Sequence, residues 1–186
     1  MAKPINLEAN WYHSSLLGAV KIHFYFIVVY AAYTGLSKAW NVITNEASLW
    51  RWVALGILSV IVITVWWLSR QTNKAHGYYK LLLQTLIVSD VLFASFNVFS
   101  QRGMASRAVA LYALPIIVAA CLLKVRWLVA TTLLCAVSYI FSAWWYFHTH
   151  FNEGYKAELV FEVGFYSLFF MVLGASLLVL IRPKTR

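Results

Sequence analysis

Six apolar stretches, separated by short polar or charged breaks, divide the chain. They run from about Leu16 to Leu36, Trp52 to Leu68, Leu81 to Phe99, Ala108 to Leu123, Trp127 to Phe147 and Leu159 to Ile181. A helix crossing ~30 Å of hydrocarbon at 1.5 Å per residue needs about 20 apolar residues, because lipid offers no partners to an unpaired backbone group. The pattern therefore predicts an all-α membrane protein, a six-transmembrane-helix bundle. The fourth stretch is short, and only Lys124, Val125 and Arg126 separate it from the fifth. One continuous helix over 108–147 would reach about 60 Å, twice the bilayer core. The chain must turn there, which makes spans four and five antiparallel neighbours. No domain boundary, low-complexity tract or internal repeat is legible, so 1–186 reads as a single transmembrane domain.

Composition agrees. The chain is 62% apolar and 11% charged, against about 45–50% and a quarter in a soluble domain, which excludes a soluble fold. Charge then orients the spans, since Lys and Arg near short loops stay on the cytoplasmic face. With the amino terminus inside, that face holds Lys3, Lys21, Arg70, Lys74, Lys80, Lys124, Arg126, Arg182, Lys184 and Arg186. The other face keeps Lys38, Arg51, Arg102, Arg107 and Lys156, with Glu46, Glu153 and Glu158. Both termini are expected in the cytoplasm and the chain in the cell (inner) membrane. A net charge of +9 dealt out loop by loop excludes a nucleic-acid partner; the lipid bilayer is the partner it implies.

Tryptophan prefers the headgroup level. Trp50, Trp52, Trp66 and Trp67 bracket span two, Trp127 opens span five, Trp144 and Trp145 close it, and Trp11 precedes span one. No short apolar region with a small-residue cleavage site opens the chain, so span one is expected to be the insertion signal. Whether Trp11, Tyr12 and His13 form a separate interfacial segment is left open.

Asp90 carries the most information. It is the tenth of the nineteen positions of span three, where an ionised carboxylate costs at least ~2.5 kcal/mol, so it must face protein or water. Asn97 lies within about 20° of it on a helical projection and two turns along, making one polar stripe. Leu83, Leu86 and Phe93 flank the stripe, while Gln84 and Ser95 fall on another face. Two roles compete: a proton-sensitive or ligand-contacting group, and a hydrogen-bonded link between helices. Glu162 and Tyr166, at i and i+4 in span six, would form a hydrogen-bonded pair at the outer mouth of the bundle.

His148, His150 and Glu153, near Glu158 and Glu162, are the weak candidates for a metal. An extended His-x-His pair can converge on one ion, whereas in a continuing helix the rings would point about 200° apart. Bis-histidine haem ligation needs two histidines at matching depth, which this sequence lacks. Lys21 and His23 are expected to send their polar ends to the inner surface. Cys121 and Cys135 differ in depth by roughly 12 Å and are expected to be packing residues without a disulfide. Pro115, mid-way along span four, is expected to bend it. Small residues such as Gly164, Gly174, Ala175 and Ser176 permit close helix approach; a homodimer stays open. No nucleophile elbow, zinc-protease motif, phosphate loop or carboxylate pair at one depth is present, so the expectation is a protein that is not an enzyme.

Across residues 80–147 one set of features stands together. They are the Leu-rich third span with Asp90, a loop with Arg102-Gly103, the stretch Leu111-Tyr112-Ala113-Leu114-Pro115, a short fourth span and an immediate basic turn into the fifth. As a set they resemble the middle of the six-helix transmembrane sensor module of bacterial membrane histidine kinases, of the redox or quinone-responsive type, lacking the kinase domain. The resemblance implies perception of a lipophilic or membrane-state signal, in some members quinone, passed to a cytoplasmic signalling kinase. It assigns the input to the loop from Arg102 to Arg107, with Gly103, and to the adjoining span ends bearing Tyr112 and Pro115. Family loops commonly read Gly-Gly and end in Pro-Phe; here a single Gly103 is followed by Met104-Ala105-Ser106-Arg107-Ala108. Five residues follow the sixth span, so the expectation is an excised module or a free-standing relative with a partner for its output.

The leading expectation is thus an integral membrane sensor or regulatory module acting through Asp90, Asn97 and the span three to four loop, with no resident cofactor assigned and quinone or a metal ion as candidate ligands. A small solute or ion transporter or channel, which needs a continuous polar path, and an assembly subunit of a membrane complex are the alternatives.

Overall fold

The computed structural model describes residues 7–71, 74–101, 106–120, 124–150 and 157–181, and these are helical apart from short connections. The helices are α1 (Leu7–Ala39), α2 (Asn45–Ser69), α3 (His76–Ser100), a 3₁₀ helix (Arg107–Tyr112) running into α4 (Ala113–Ala120), α5 (Val125–Thr149) and α6 (Ala157–Ile181). Among the described residues, five helices are long and apolar enough to cross a membrane. The fourth apolar stretch, Arg107–Ala120, is the shorter one. Its six 3₁₀ and eight α-helical residues rise roughly 24 Å, because 3₁₀ winding gains more length per residue. The change of winding falls just before Pro115, in the first turn of α4, where the missing N–H of proline is tolerated. The expected mid-span bend is therefore a change of helix type ahead of the proline. The helix α1 has 33 residues, about 50 Å. Trp11, Tyr12 and His13 belong to it, rather than to a separate segment.

Two compact units divide the chain, Met1–Leu86 and Ile87–Arg186. In the first, the α1–α2 turn is built by local chemistry. Asn41 adopts a left-handed φ of 55°, the Val42 N–H donates to the Ser37 carbonyl at 2.9 Å, and α1 is closed in the manner usually reserved for glycine. Thr44 then caps α2, its hydroxyl accepting from the Ala47 N–H at 3.2 Å.

The two helices meet along a seam with alternating spacings of three and four. On α2 it is Ser48, Arg51, Leu55, Leu58, Val62, Val65 and Ser69; on α1 it includes Leu16, Ala19, His23, Tyr30, Thr34 and Ser37, all buried. This is the seam of an antiparallel coiled coil. Its register is pinned by Tyr33 under Arg51, by Phe24 edge-on to Trp66, and by His13 Nε2 at 2.9 Å from the Ser69 carbonyl oxygen. His23 departs from expectation. It is fully buried on this seam, with Nδ1 2.7 Å from the Ala19 carbonyl oxygen, and only Lys21 of that pair is exposed. At the other end of the seam, Tyr79 donates to the Gln71 carbonyl at 2.8 Å and Tyr78 to the Leu68 carbonyl at 3.3 Å. The first adds a partner to a carbonyl just beyond α2, and the second a further donor to the Leu68 carbonyl, which already accepts from the Gln71 N–H at 3.2 Å.

In the second unit, α4 packs on α5 and α6, and α5 on α6, so spans four and five are neighbours. The α5–α6 contact is close because Gly174 has no side chain: a Cβ there would lie 2.5 Å from Thr132 Oγ1. Small residues admit such approach between membrane helices.

Candidate functional site

The second unit collects polar side chains that lipid would not tolerate. Asp90 is 2% exposed and Asn97 fully buried, as an intramembrane acid and amide must be. Asn97 Nδ2 donates to the Phe93 carbonyl at 2.8 Å, and its Oδ1 accepts from Gln101 Nε2 at 3.2 Å. The Cys135 thiol of α5, a buried free cysteine, lies within electrostatic range of Asp90.

A second face of α3 contributes too. Ser95 Oγ, which donates to the Val91 carbonyl, stands 2.8 Å from the Tyr112 hydroxyl, and Ser142 of α5 faces the same phenol. Tyr112 ends the 3₁₀ helix and is fully buried. Its ring meets Tyr139 edge-on at 6.1 Å and Phe170 at 5.5 Å. Tyr139 in turn meets Tyr166 at 5.9 Å and Phe170 at 6.0 Å, both edge-on. Such T-shaped contacts set positive ring edges against negative faces and fix the orientation of each phenol. The Tyr139 hydroxyl is fully enclosed and has no hydrogen-bond partner among the described residues. A buried orphan hydroxyl costs about 1–3 kcal/mol.

The remaining sequence candidates divide. Tyr112 and Tyr166 join the cluster, and Pro115 is buried one turn from Tyr112. Arg107 is exposed at the start of the 3₁₀ helix, where Ser106 Oγ caps by accepting from the Ala108 N–H at 3.0 Å. Arg102 and Gly103 lie outside the described residues. Glu162 is exposed and forms no hydrogen bond with Tyr166 among the described residues; the Tyr166 ring turns to Tyr139 instead, leaving the acid within electrostatic range of the Tyr139 phenol.

His148, in the last turn of α5, and His150, just past its end, take different partners. His148 stacks beside Trp145 at 6.3 Å, whereas His150 stacks on Tyr146 at 4.3 Å with Nδ1 3.0 Å from the Tyr146 carbonyl oxygen. Among the described residues, no group of three or more His, Cys, Asp and Glu could hold a metal ion; Glu153 lies outside them, as does Cys121.

Ser142 and Tyr139 escaped sequence reasoning, while helical spacing sets Ser95 on another face of span three and Cys135 reads as a packing residue. The available signal was the presence of tyrosines deep inside spans, away from the headgroup level they favour. The assembled groups can hydrogen-bond a carbonyl or hydroxyl inside an apolar cage, or take up and release a proton at Asp90. No protein-family model matches the chain, and neither a curated protein nor a solved structure matches it.

Proposed function

We propose that this chain is a six-span module of the cell membrane, with both termini cytoplasmic, that responds to a lipophilic ligand or a proton at the cluster around Asp90, Tyr112 and Tyr139. The response passes to a cytoplasmic partner as a shift in helix packing, without chemistry on a substrate. One observation carries this: an enclosed polar cluster, built from three packed helices and the 3₁₀ segment, that keeps one phenol hydroxyl unsatisfied. A group held at this cost is stabilised by whatever hydrogen-bonds to it, so occupancy and packing are coupled. The resemblance of residues 80–147 to kinase sensor modules supports the same direction of signalling.

The test is hydrogen exchange of the purified chain in liposomes, between pH 5 and pH 8 and with or without a long-chain quinone. Protection along 87–101 and 125–149 should change with pH or quinone, and Asp90→Asn or Tyr139→Phe should abolish the change. Protection indifferent to both agents, with both variants inserting normally, would remove the proposal. Asp90-dependent ion flux through the same liposomes would instead establish a transporter.

A further inference from the structure

Another group is buried without a partner among the described residues, in the other unit, and the proposed function does not use it. Arg51 stands in the second turn of α2, on the seam facing α1, and is 7% exposed. Its Nε and Nη1 atoms are enclosed and make no hydrogen bond among the described residues. At the same level on α1, next to Tyr33, the Thr34 hydroxyl is fully buried and also lacks a partner. Two guanidinium donors and a hydroxyl therefore stand unused at one height of the seam.

Several effects ask for a negative charge here. The Tyr33 ring, 5.8 Å from the guanidinium carbon, offsets only part of the charge. The amide dipoles at the start of a helix repel a cation and favour an anion. Glu46, in the first turn of α2, is exposed and forms no ion pair with Arg51. The depth identifies the source of the anion. Trp40, Trp50 and Trp52 flank this end of the hairpin and are exposed, which puts it at the headgroup level, where lipid phosphates lie.

We infer that the loop end of the α1–α2 seam binds the phosphate of an anionic lipid, with Arg51 supplying charge and donors and Thr34 a hydroxyl. Guanidinium suits this because it is always charged, weakly hydrated and matched to phosphate oxygens. The site is independent of the cluster in residues 87–186, and a polar seam end holding lipid would also fix the register of the hairpin.

Native mass spectrometry of the full chain in neutral detergent tests it, with dioleoylphosphatidylglycerol, dioleoylphosphatidylcholine and inorganic phosphate as separate probes. The wild type should retain phosphatidylglycerol over phosphatidylcholine. Arg51→Gln should lower that retention about tenfold and Thr34→Val about threefold, as expected for loss of charged and neutral hydrogen bonds. Arg70→Gln, at the far end of α2, should leave it unchanged. Should Arg51→Gln not fold, Arg51→Lys and Thr34→Val carry the test, since lysine keeps the charge but loses the planar donor set. Inorganic phosphate binding with the same Arg51 dependence, and no lipid retention, would keep the oxyanion site and overturn its assignment to lipid. Retention unaffected by any of these substitutions would overturn the site itself.

Discussion

The two units bury polar groups in opposite ways. In the α1–α2 hairpin the α2 side of the middle of the seam is aliphatic, with Leu55, Leu58, Val62 and Val65, and apart from His23 the buried polar residues stand at its ends, Thr34, Ser37, Ser48 and Arg51 at one and Ser69, beside the half-buried His13, at the other. In residues 87–186 the polar groups stand within the packing itself, with Asp90, Tyr112 and Tyr139 enclosed between helices. The seam is regular because two helices repeating every three and four residues need only one apolar stripe each. The cluster is irregular because several elements converge on Tyr112, Tyr139 and Phe170, and each ring must find an edge or face to meet. The seam leaves its unsatisfied groups, Arg51 and Thr34, at one end, while the cluster leaves its unsatisfied Tyr139 hydroxyl among packed rings.

Stability measurements, by unfolding in mixed micelles of graded sodium dodecyl sulfate, can break this contrast. The largest effect belongs to the seam. Leu58→Ala should destabilise by about 3 kcal/mol through the void it leaves, while Ile57→Ala, one residue away and 59% exposed, should change little. Equal losses at both positions would mean that the seam does not hold the hairpin. Gly174→Val comes next, at about 2 kcal/mol, because its side chain must displace Thr132, whose hydroxyl is itself tied to the Leu128 carbonyl at 2.8 Å. A wild-type midpoint in that variant would remove the close α5–α6 contact.

The smallest pair is the most discriminating. Tyr112→Phe deprives Ser95 of a partner and should destabilise by about 1–2 kcal/mol. Tyr139→Phe deletes a hydroxyl that has none and should be neutral or stabilise by about 1 kcal/mol. Two removals of the same atom with opposite signs would mark Tyr139 as a place where stability was given up for binding. Equal destabilisation would show that the Tyr139 hydroxyl is satisfied in solution.

Much of the architecture was legible beforehand. Span positions follow from apolar runs because the hydrocarbon demands them locally, and the burial of Asp90 follows from the same demand. The turn chemistry went unread, although Asn41 and Thr44 stand where a closing and an opening cap are needed. What could not be read is which apolar residues face protein. Leu58 is 2% exposed and its neighbour Ile57 59%, yet both are aliphatic, since one packs on a helix and the other faces outward with no need of polarity. Glu162 illustrates the reverse: helical spacing puts it beside Tyr166, but Tyr139 offers that ring a better partner.

By itself, then, the sequence determined the helical membrane class, the breaks between spans and the need to shelter one acid, all consequences of a solvent that cannot hydrogen-bond. Only the tertiary structure decided that Arg51 and Thr34 share a seam, that His23 turns inward, and that Ser95, Tyr112 and Tyr139 form one cluster. Those pairings depend on helix register and rotation. In a medium where outward and inward faces are both apolar, composition carries almost no trace of either.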